Sequence, residues 1–340
     1  MSILKFVLIF FILFFILWEI ESYFNLKFYK YFFPKYYDDD KNSELSIKNM
    51  YSPKIDSEIK NGESIAKSSS IVICGLARNI SHVLEKTQKK LEKIGSFFNK
   101  YHIVIFENDS TDNTREIIKK WSKENKNVTL IDCVDENGNS NECKFNLETG
   151  YDMGAISLNR SKKMAVYREQ YLNYVKKKFK HYDYMLVADL DIEGNMNYDG
   201  LFHSLSQNNW GGICINGRGN VPVFFGLLSM MYDTLAYVPK DSDYNNIKYN
   251  VFKNLFYSNY EILNSEKLIE VTSAFNGYSL YKIPYVINST YIGDTCCEHI
   301  NLHINIIKNG GKIYINPLWT GYFNLQGPQG PINLLKMFIK

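Results

Sequence analysis

The sequence is short of net charge, of proline and glycine, and of paired cysteine motifs, and each shortage argues against a class of protein. A formal charge of only +3 over 340 residues gives no long-range field for a polyanion, so nucleic acid is not an expected partner. The one dense basic run, Lys176-Lys177-Lys178-Phe179-Lys180, reads as the solvated end of a helix. The scarcity of Ala, Gly and Pro beside abundant Asn, Lys, Ile and Tyr points to an AT-rich coding sequence and carries no functional signal. Six cysteines, at 74, 133, 143, 214, 296 and 297, form no C-x-x-C and no zinc-finger spacing, which argues against structural zinc. Cys133 and Cys143 flank an Asn/Gly-rich turn at 135–141 and suit a loop disulfide in an oxidising compartment, whereas Cys74 and Cys214 sit in apolar runs and read as free buried thiols. No internal repeat is visible, which argues against a solenoid.

What the chain does hold is apolar and aromatic side chains, 45% and 15% of the residues, enough for one large or two medium cores. Ile3 to Ile20 is almost wholly apolar and long enough to span a bilayer. A cleavable signal peptide is the competing reading, but the run is long for one and ends in Trp-Glu-Ile-Glu-Ser instead of small residues. Residues 1–22 are therefore expected to form a single-pass membrane anchor. Lys5 before the run and Lys27, Lys30 and Lys35 after it leave the side of the membrane undecided, with a lumenal, type II placement as the leading expectation. Residues 23–69, aromatic and then polar, read as an interfacial belt and stem.

From Ser70 the pattern alternates. Ser70 to Leu76 forms a buried strand, Leu84, Thr87, Leu91 and Ile94 mark one helix face, and His102 to Phe106 forms a second strand. A second helix carries Ile117, Ile118 and Trp121, and Val128 to Cys133 is a third strand. A helix with Met164, Tyr167, Tyr171 and Val175 on one face then leads to a fourth strand in the stretch Tyr182 to Asp191, which carries Met185, Leu186 and Val187 into the core. This β-α alternation predicts an α/β, Rossmann-like domain over 70–340, with a mostly parallel sheet and helices on both faces. Gly211 to Asn216 reads as a further strand, and 217–270 as an irregular insertion rich in Asn and Tyr. Order is expected to return at 271–283, in a helix opened by Thr295 to His303, and at 311–315.

The fourth strand stops on Asp189-Leu190-Asp191. Ligands of open α/β sheets collect at the carboxyl ends of strands, and two acids one residue apart there can hold Mg²⁺ or Mn²⁺, which take their other ligands from water and substrate phosphate. The alternative is a pair of solvated turn acids. The second strand ends on Glu107-Asn108, after which the Ser110 and Thr111 hydroxyls can cap the next helix. Arg78 and Arg160 are candidates for bidentate contact with a diphosphate, or surface arginines.

Phe106 to Thr114 resembles the acid-rich strand end followed by Ser-Thr-Asp-x-Thr of nucleotide-sugar glycosyltransferases of the GT-A fold, with Asp189-Leu190-Asp191 where their metal-binding Asp-x-Asp belongs. Asn159-Arg160 with Met164-Ala165-x-Tyr167-Arg168, and Tyr232 to Ala236, resemble features of fungal capsule-type mannosyltransferases and their relatives. The resemblance implies a UDP- or GDP-sugar donor, a Mn²⁺ or Mg²⁺ ion and a glycan or glycoprotein acceptor. It implies donor contacts at Ala77, Arg78, Glu107, Asn108, Asn159, Arg160, Asp189, Leu190 and Asp191. The metal falls to Asp189 and Asp191, and an acceptor loop to Phe275-Asn276-Gly277-Tyr278. If the reaction inverts, Glu298 is the catalytic base. The family's late histidine ligand is missing from Ile315 to Trp319, and His299 and His303, one helical turn apart, are its possible substitutes, His303 foremost. Five sequons, at Asn79, Asn108, Asn127, Asn159 and Asn288, bear on the compartment, because three lie in the donor segments.

Overall fold

The structure, a computed structural model, describes residues 52–132, 158–219, 230–242 and 265–324, together with Ile9, Phe10, Ile12, Leu13 and Ile16. Those five are helical, but among the described residues no helix is long and apolar enough to cross a membrane. Most of the anchor expected at 1–22, the stem up to residue 51, and the Cys133 to Cys143 loop lie outside the described residues.

The expected alternation is present. Strand β1 (Ser70–Ala77) is followed by α2 (Ser81–Gly95), β2 (Lys100–Glu107), α3 (Thr114–Glu124), β3 (Val128–Asp132), α4 (Leu158–Lys178) and β4 (Tyr184–Asp189). The period-2 pattern buries both faces of the sheet. Ile71 and Ile73 of β1 pack into one core with Val83, Leu84 and Leu91 of α2, while Val72 and Cys74 pack into a second with Leu172 and Val175 of α4.

The sheet is mixed, where a mostly parallel one was expected. Its order is β3-β2-β1-β4-β10-β6-β11-β9-β8, with β10 (Tyr278–Lys282), β6 (Gly212–Gly219), β11 (Ile313–Asn324), β9 (Ile269–Ser273) and β8 (Val238–Pro239). The four strands from β3 to β4 are mutually parallel. Beyond β4, among the described residues, only β6 and β11 pair in parallel; β10 runs antiparallel to both β4 and β6, and β9 to β11. Asn276 and Gly277, with φ of 57° and 93°, turn the chain between β9 and β10, two strands that β6 and β11 separate in the sheet. Within the expected 217–270 insertion the described residues include two short strands, β7 (Met230–Met231) and β8.

The folded unit also begins earlier than expected. Helix α1 (Pro53–Ser68), inside the proposed stem, starts with proline at its first turn and buries Ile55, Ile59, Gly62 and Ala66. It lies against α5 (Tyr198–Ser206) so closely that a Cβ on Gly62 would stand 1.7 Å from the Phe202 carbonyl oxygen. Burial of each isoleucine contributes roughly 1.5–3 kcal/mol, so 53–68 belongs to the domain. The stem reading failed there because the stripe contains only two large apolar side chains.

Candidate functional site

The carboxyl ends of the parallel strands bring the sequence-predicted residues together. Register places Ala77 beside Glu107, Glu107 beside Asp132, and Leu76 beside Asp189. Leu190 is buried, pressed on Gly75, where a Cβ would meet its Cδ2 at 2.6 Å, and its carbonyl accepts the Thr87 hydroxyl at 3.0 Å. Pinning Leu190 inward turns its two neighbours outward, Asp189 half-buried and Asp191 exposed. The Asp189 N–H donates to the Gly277 carbonyl at 2.9 Å, which joins the strand end to the predicted acceptor loop. Burial raises the Asp189 pKa to about 7, with Asp191 and Asp233 adding to the rise and Arg168 opposing it. Asp191 is raised too, chiefly by loss of surrounding water, although it is reached by solvent.

The β1 and β2 loops are cross-tied. Asn79, at φ 54°, accepts the Thr111 N–H on its side-chain oxygen at 2.8 Å and donates its own N–H to the Ser110 hydroxyl at 3.0 Å. Thr114 Oγ1 accepts the Ile80 N–H at 2.8 Å, and Asp112 accepts both the N–H and the hydroxyl of Ser81. These bonds correct the capping expectation. Ser110 and Thr111 reach across to Asn79, and Asp112 takes the Thr114 N–H at 3.0 Å. Glu107 is fully buried, with Oε1 accepting the Ser110 N–H at 2.7 Å and Oε2 accepting Arg115 Nε at 2.8 Å, so its carboxylate shapes this loop. The Asn108 side-chain oxygen, by contrast, is buried with no hydrogen-bond partner, and a buried acceptor of that kind favours an incoming donor group. Arg78 is exposed just beyond β1. Asn159 and Arg160 are exposed in the first turn of α4, and the Arg160 charge acts on both Asp191 and Asp233.

At the centre stands a residue to which no role was given, Arg168. It lies on the α4 stripe of Ser161, Ala165, Leu172 and Val175, and a lone arginine among core-facing positions was the available signal. Its Nε donates to Glu298 Oε1 at 2.7 Å, its Nη2 to Asp189 Oδ1 at 3.2 Å, and its guanidinium lies over the Phe275 ring 5.1 Å from the centroid. Glu298 opens α7 (Glu298–Lys308), as expected, and is buried. The loop before it passes so near α4 that a Cβ on Gly293 would stand 2.2 Å from the Lys162 Cα, which fixes the Arg168–Glu298 geometry.

His303 is not available as a metal ligand, contrary to expectation. It is fully buried, with Nδ1 and Ser273 Oγ at 2.9 Å and Nε2 and the Tyr281 hydroxyl at 2.8 Å, so both nitrogens are engaged between α7 and the sheet. His299 and His303 do share a face, but it is the core face. His299 stacks on Phe275 with centroids 3.8 Å apart, and neither of its nitrogens has a hydrogen-bond partner. Among the described residues no group of three His, Cys, Asp or Glu side chains is arranged to hold a metal ion.

The two histidines make the fold acid-sensitive. Burial lowers the His303 pKa from 6.5 to about 3 and holds that of His299 well below 6.5, so the unfolded chain takes up these protons first. Their contribution to stability is intact above pH 6.5 and is lost as pH falls toward 3, at up to ~1.4 kcal/mol per pH unit for each group. Urea unfolding at pH 7, 6 and 5 is expected to show this decline, with the His303 ring protons silent in NMR titration over the same range. A His303 titration midpoint near 6.5 would contradict its burial.

Comparison with known proteins agrees in part with the expected family. A model of the family described as "Glycosyl transferase family 2" matches residues 70–142. No curated protein matches the chain. Among solved structures, S. aureus TarS in complex with UDP-GlcNAc is 13% identical, with a TM-score of 0.44 and 77% of this chain and 60% of that chain covered. The mannosyltransferase PcManGT from Pyrobaculum calidifontis, in complex with GDP-Man and Mn²⁺, is 12% identical, with a TM-score of 0.43 and coverage of 78% and 59%. GalNAc-T7 with UDP, GalNAc and Mn²⁺ is 13% identical, with a TM-score of 0.44 and coverage of 85% and 56%. The chain thus spans less than two thirds of the length of each of these three proteins.

Proposed function

We propose that the chain transfers a sugar from a UDP- or GDP-sugar donor to a glycan or glycoprotein acceptor. The observation that carries this reading is the pair Asp189 and Asp191 at the end of a parallel strand, inside a fold whose first three strands lie in the glycosyltransferase family match. The site suits a divalent cation in one respect. Two carboxylates with raised proton affinity stand together, with the charge of Arg168 acting on both and that of Arg160 on Asp191, and Mg²⁺ or Mn²⁺ needs just one or two protein carboxylates when water and phosphate complete its shell. Asp189 and Asp191 would hold the ion, which when bound would neutralise the departing nucleoside diphosphate. Arg160, whose charge acts on Asp191, would meet the same phosphates, and the Asn108 oxygen would accept from the base or ribose. The resemblance to fungal capsule-type mannosyltransferases makes mannose the first donor sugar to try. The anchor at 1–22 is part of the same proposal and would hold the enzyme at a membrane.

The test is nucleoside-diphosphate release by the purified protein across a panel of UDP- and GDP-sugars with Mn²⁺, using a chain that keeps 53–68. One donor is expected to turn over, and chelation of the metal is expected to stop it. Orthophosphate or pyrophosphate release would mark a phosphatase or nucleotidyltransferase instead. Donor binding without turnover over the whole panel would mark a binding or scaffold protein.

A further inference from the structure

We infer that Asp233 is the catalytic base that takes the acceptor's proton, and that Glu298 is a positioning residue that holds Arg168 beside Asp189. The inference rests on the glycosyl-transfer reading above. Asp189 and Glu298 are bonded to Arg168, Asp233 lies within reach of its charge, and the three acids differ in what holds them. Glu298 is buried, its Oε1 2.7 Å from Arg168 Nε and its Oε2 3.7 Å from Cys297 Sγ. Both of its oxygens are therefore already engaged in a buried pocket, one of them by a permanent cation, which leaves neither free for an acceptor hydroxyl. Asp189 is joined to the same guanidinium and is assigned to the leaving group.

Asp233 is differently placed. It is half-buried, its Oδ1 accepts only the Ala236 N–H at 3.2 Å, and among the described residues its other oxygen has no hydrogen-bond partner. No Lys, Arg or His among the described residues forms an ion pair with it. The loop that carries it is nonetheless fixed. The Tyr232 N–H donates to the Gly217 carbonyl at 2.9 Å, the Tyr232 ring meets the edge of Phe323 at 5.3 Å, and the Leu235 carbonyl accepts Cys296 Sγ at 3.3 Å, two residues before Glu298. That last bond ties the Asp233 loop to the α7 entry. Asp233 feels the charges of Glu298, Arg160 and Arg168, and acts in turn on Asp189, so it lies within the same site. A carboxylate on a fixed loop, with an uncommitted oxygen, is what abstraction of a hydroxyl proton requires.

In the step assigned to it, the acceptor hydroxyl oxygen forms a bond to the anomeric carbon. The bond from that carbon to the diphosphate oxygen breaks, and its electron pair leaves with the nucleoside diphosphate. The hydroxyl proton passes to Asp233, which later returns it to water. Attack from the side opposite the leaving group inverts the anomeric configuration.

The test compares Asp233→Asn and Glu298→Gln in the full chain with a donor the wild type turns over. Asn keeps an acceptor for the Ala236 N–H, so a purely structural cap survives the change, whereas a base does not. Asp233→Asn is expected to lower transfer about 10²- to 10⁴-fold with donor affinity, read by calorimetry, within about twofold of wild type. Asp233→Glu is expected to recover part of the rate. Donor binding by the Asn variant also shows that its site is folded. Transfer by Asp233→Asn within about tenfold of wild type would overturn the inference, as would a product of retained configuration. A loss confined to Glu298→Gln, with donor affinity unchanged, would return the base to Glu298. Absence of turnover by the wild type on every donor would instead count against glycosyl transfer itself.

Discussion

Asp191→Ala is expected to abolish metal-dependent donor binding while the unfolding midpoint stays almost where it was. Asp191 is exposed at a strand end, and neither core cluster includes it, so its loss opens no cavity. Its neighbour does the structural work, because Leu190 supplies the buried side chain and the carbonyl that Thr87 bonds. What Asp191 supplies is negative charge beside a second carboxylate already tied to Arg168. Without it a divalent ion would have Asp189 alone among these strand-end acids, and that acid shares its charge with a guanidinium. A fall in donor affinity of 100-fold or more in Mn²⁺ is expected, about 2.7 kcal/mol, against little change in EDTA. Calorimetry in both buffers with a parallel thermal melt reads the two quantities separately. Metal-stimulated donor binding that survives in the variant would move the ion elsewhere.

How far such sites could be read in the sequence depended on whether the signal was local. The β1-α2-β2-α3-β3 half was legible because its strands alternate faces and its helices repeat every three to four residues, and those periods are fixed by backbone geometry. The Asp189-Leu190-Asp191 ending was legible for the same reason, since an apolar run that stops on acids is a local event. The mixed second half was not, because strand direction is set by partners distant in sequence: β10 inserts between β4 and β6, away from β9, which precedes it in the chain. Helix α1 was missed where small residues replaced large ones. His303 was misjudged because spacing says which residues share a helix face but not whether that face meets substrate or core. Asp233 lies in the Tyr232 to Ala236 stretch that the resemblance marked without giving it a role; the pairing of β7 with β6 and the Cys296–Leu235 contact tie its loop to the site.

Arg168 joins the two halves of this account, and its removal should have the largest effect on stability of any single change in the site. Its side chain is 5% exposed and Glu298 is 4% exposed, so the pair is desolvated, and a buried ion pair loses about 3–5 kcal/mol when one partner is removed. Arg168→Met keeps the bulk over Phe275 but leaves Glu298 and Asp189 without their shared cation, close to His299, which burial holds neutral. Lysine should restore little, because one ammonium cannot present Nε to Glu298 and Nη2 to Asp189 at once. The proposed explanation, stranded buried charge, differs from lost packing in what rescues it. If charge is the cause, the double variant Arg168→Met with Glu298→Gln should regain part of the stability lost by Arg168→Met alone, a coupling of about 1–3 kcal/mol in a double-mutant cycle. If packing over Phe275 is the cause, the two losses should add. Denaturant unfolding of the four proteins at pH 7 decides between them, and an Arg168→Met loss below about 1 kcal/mol would show that the site is held together by something other than this pair.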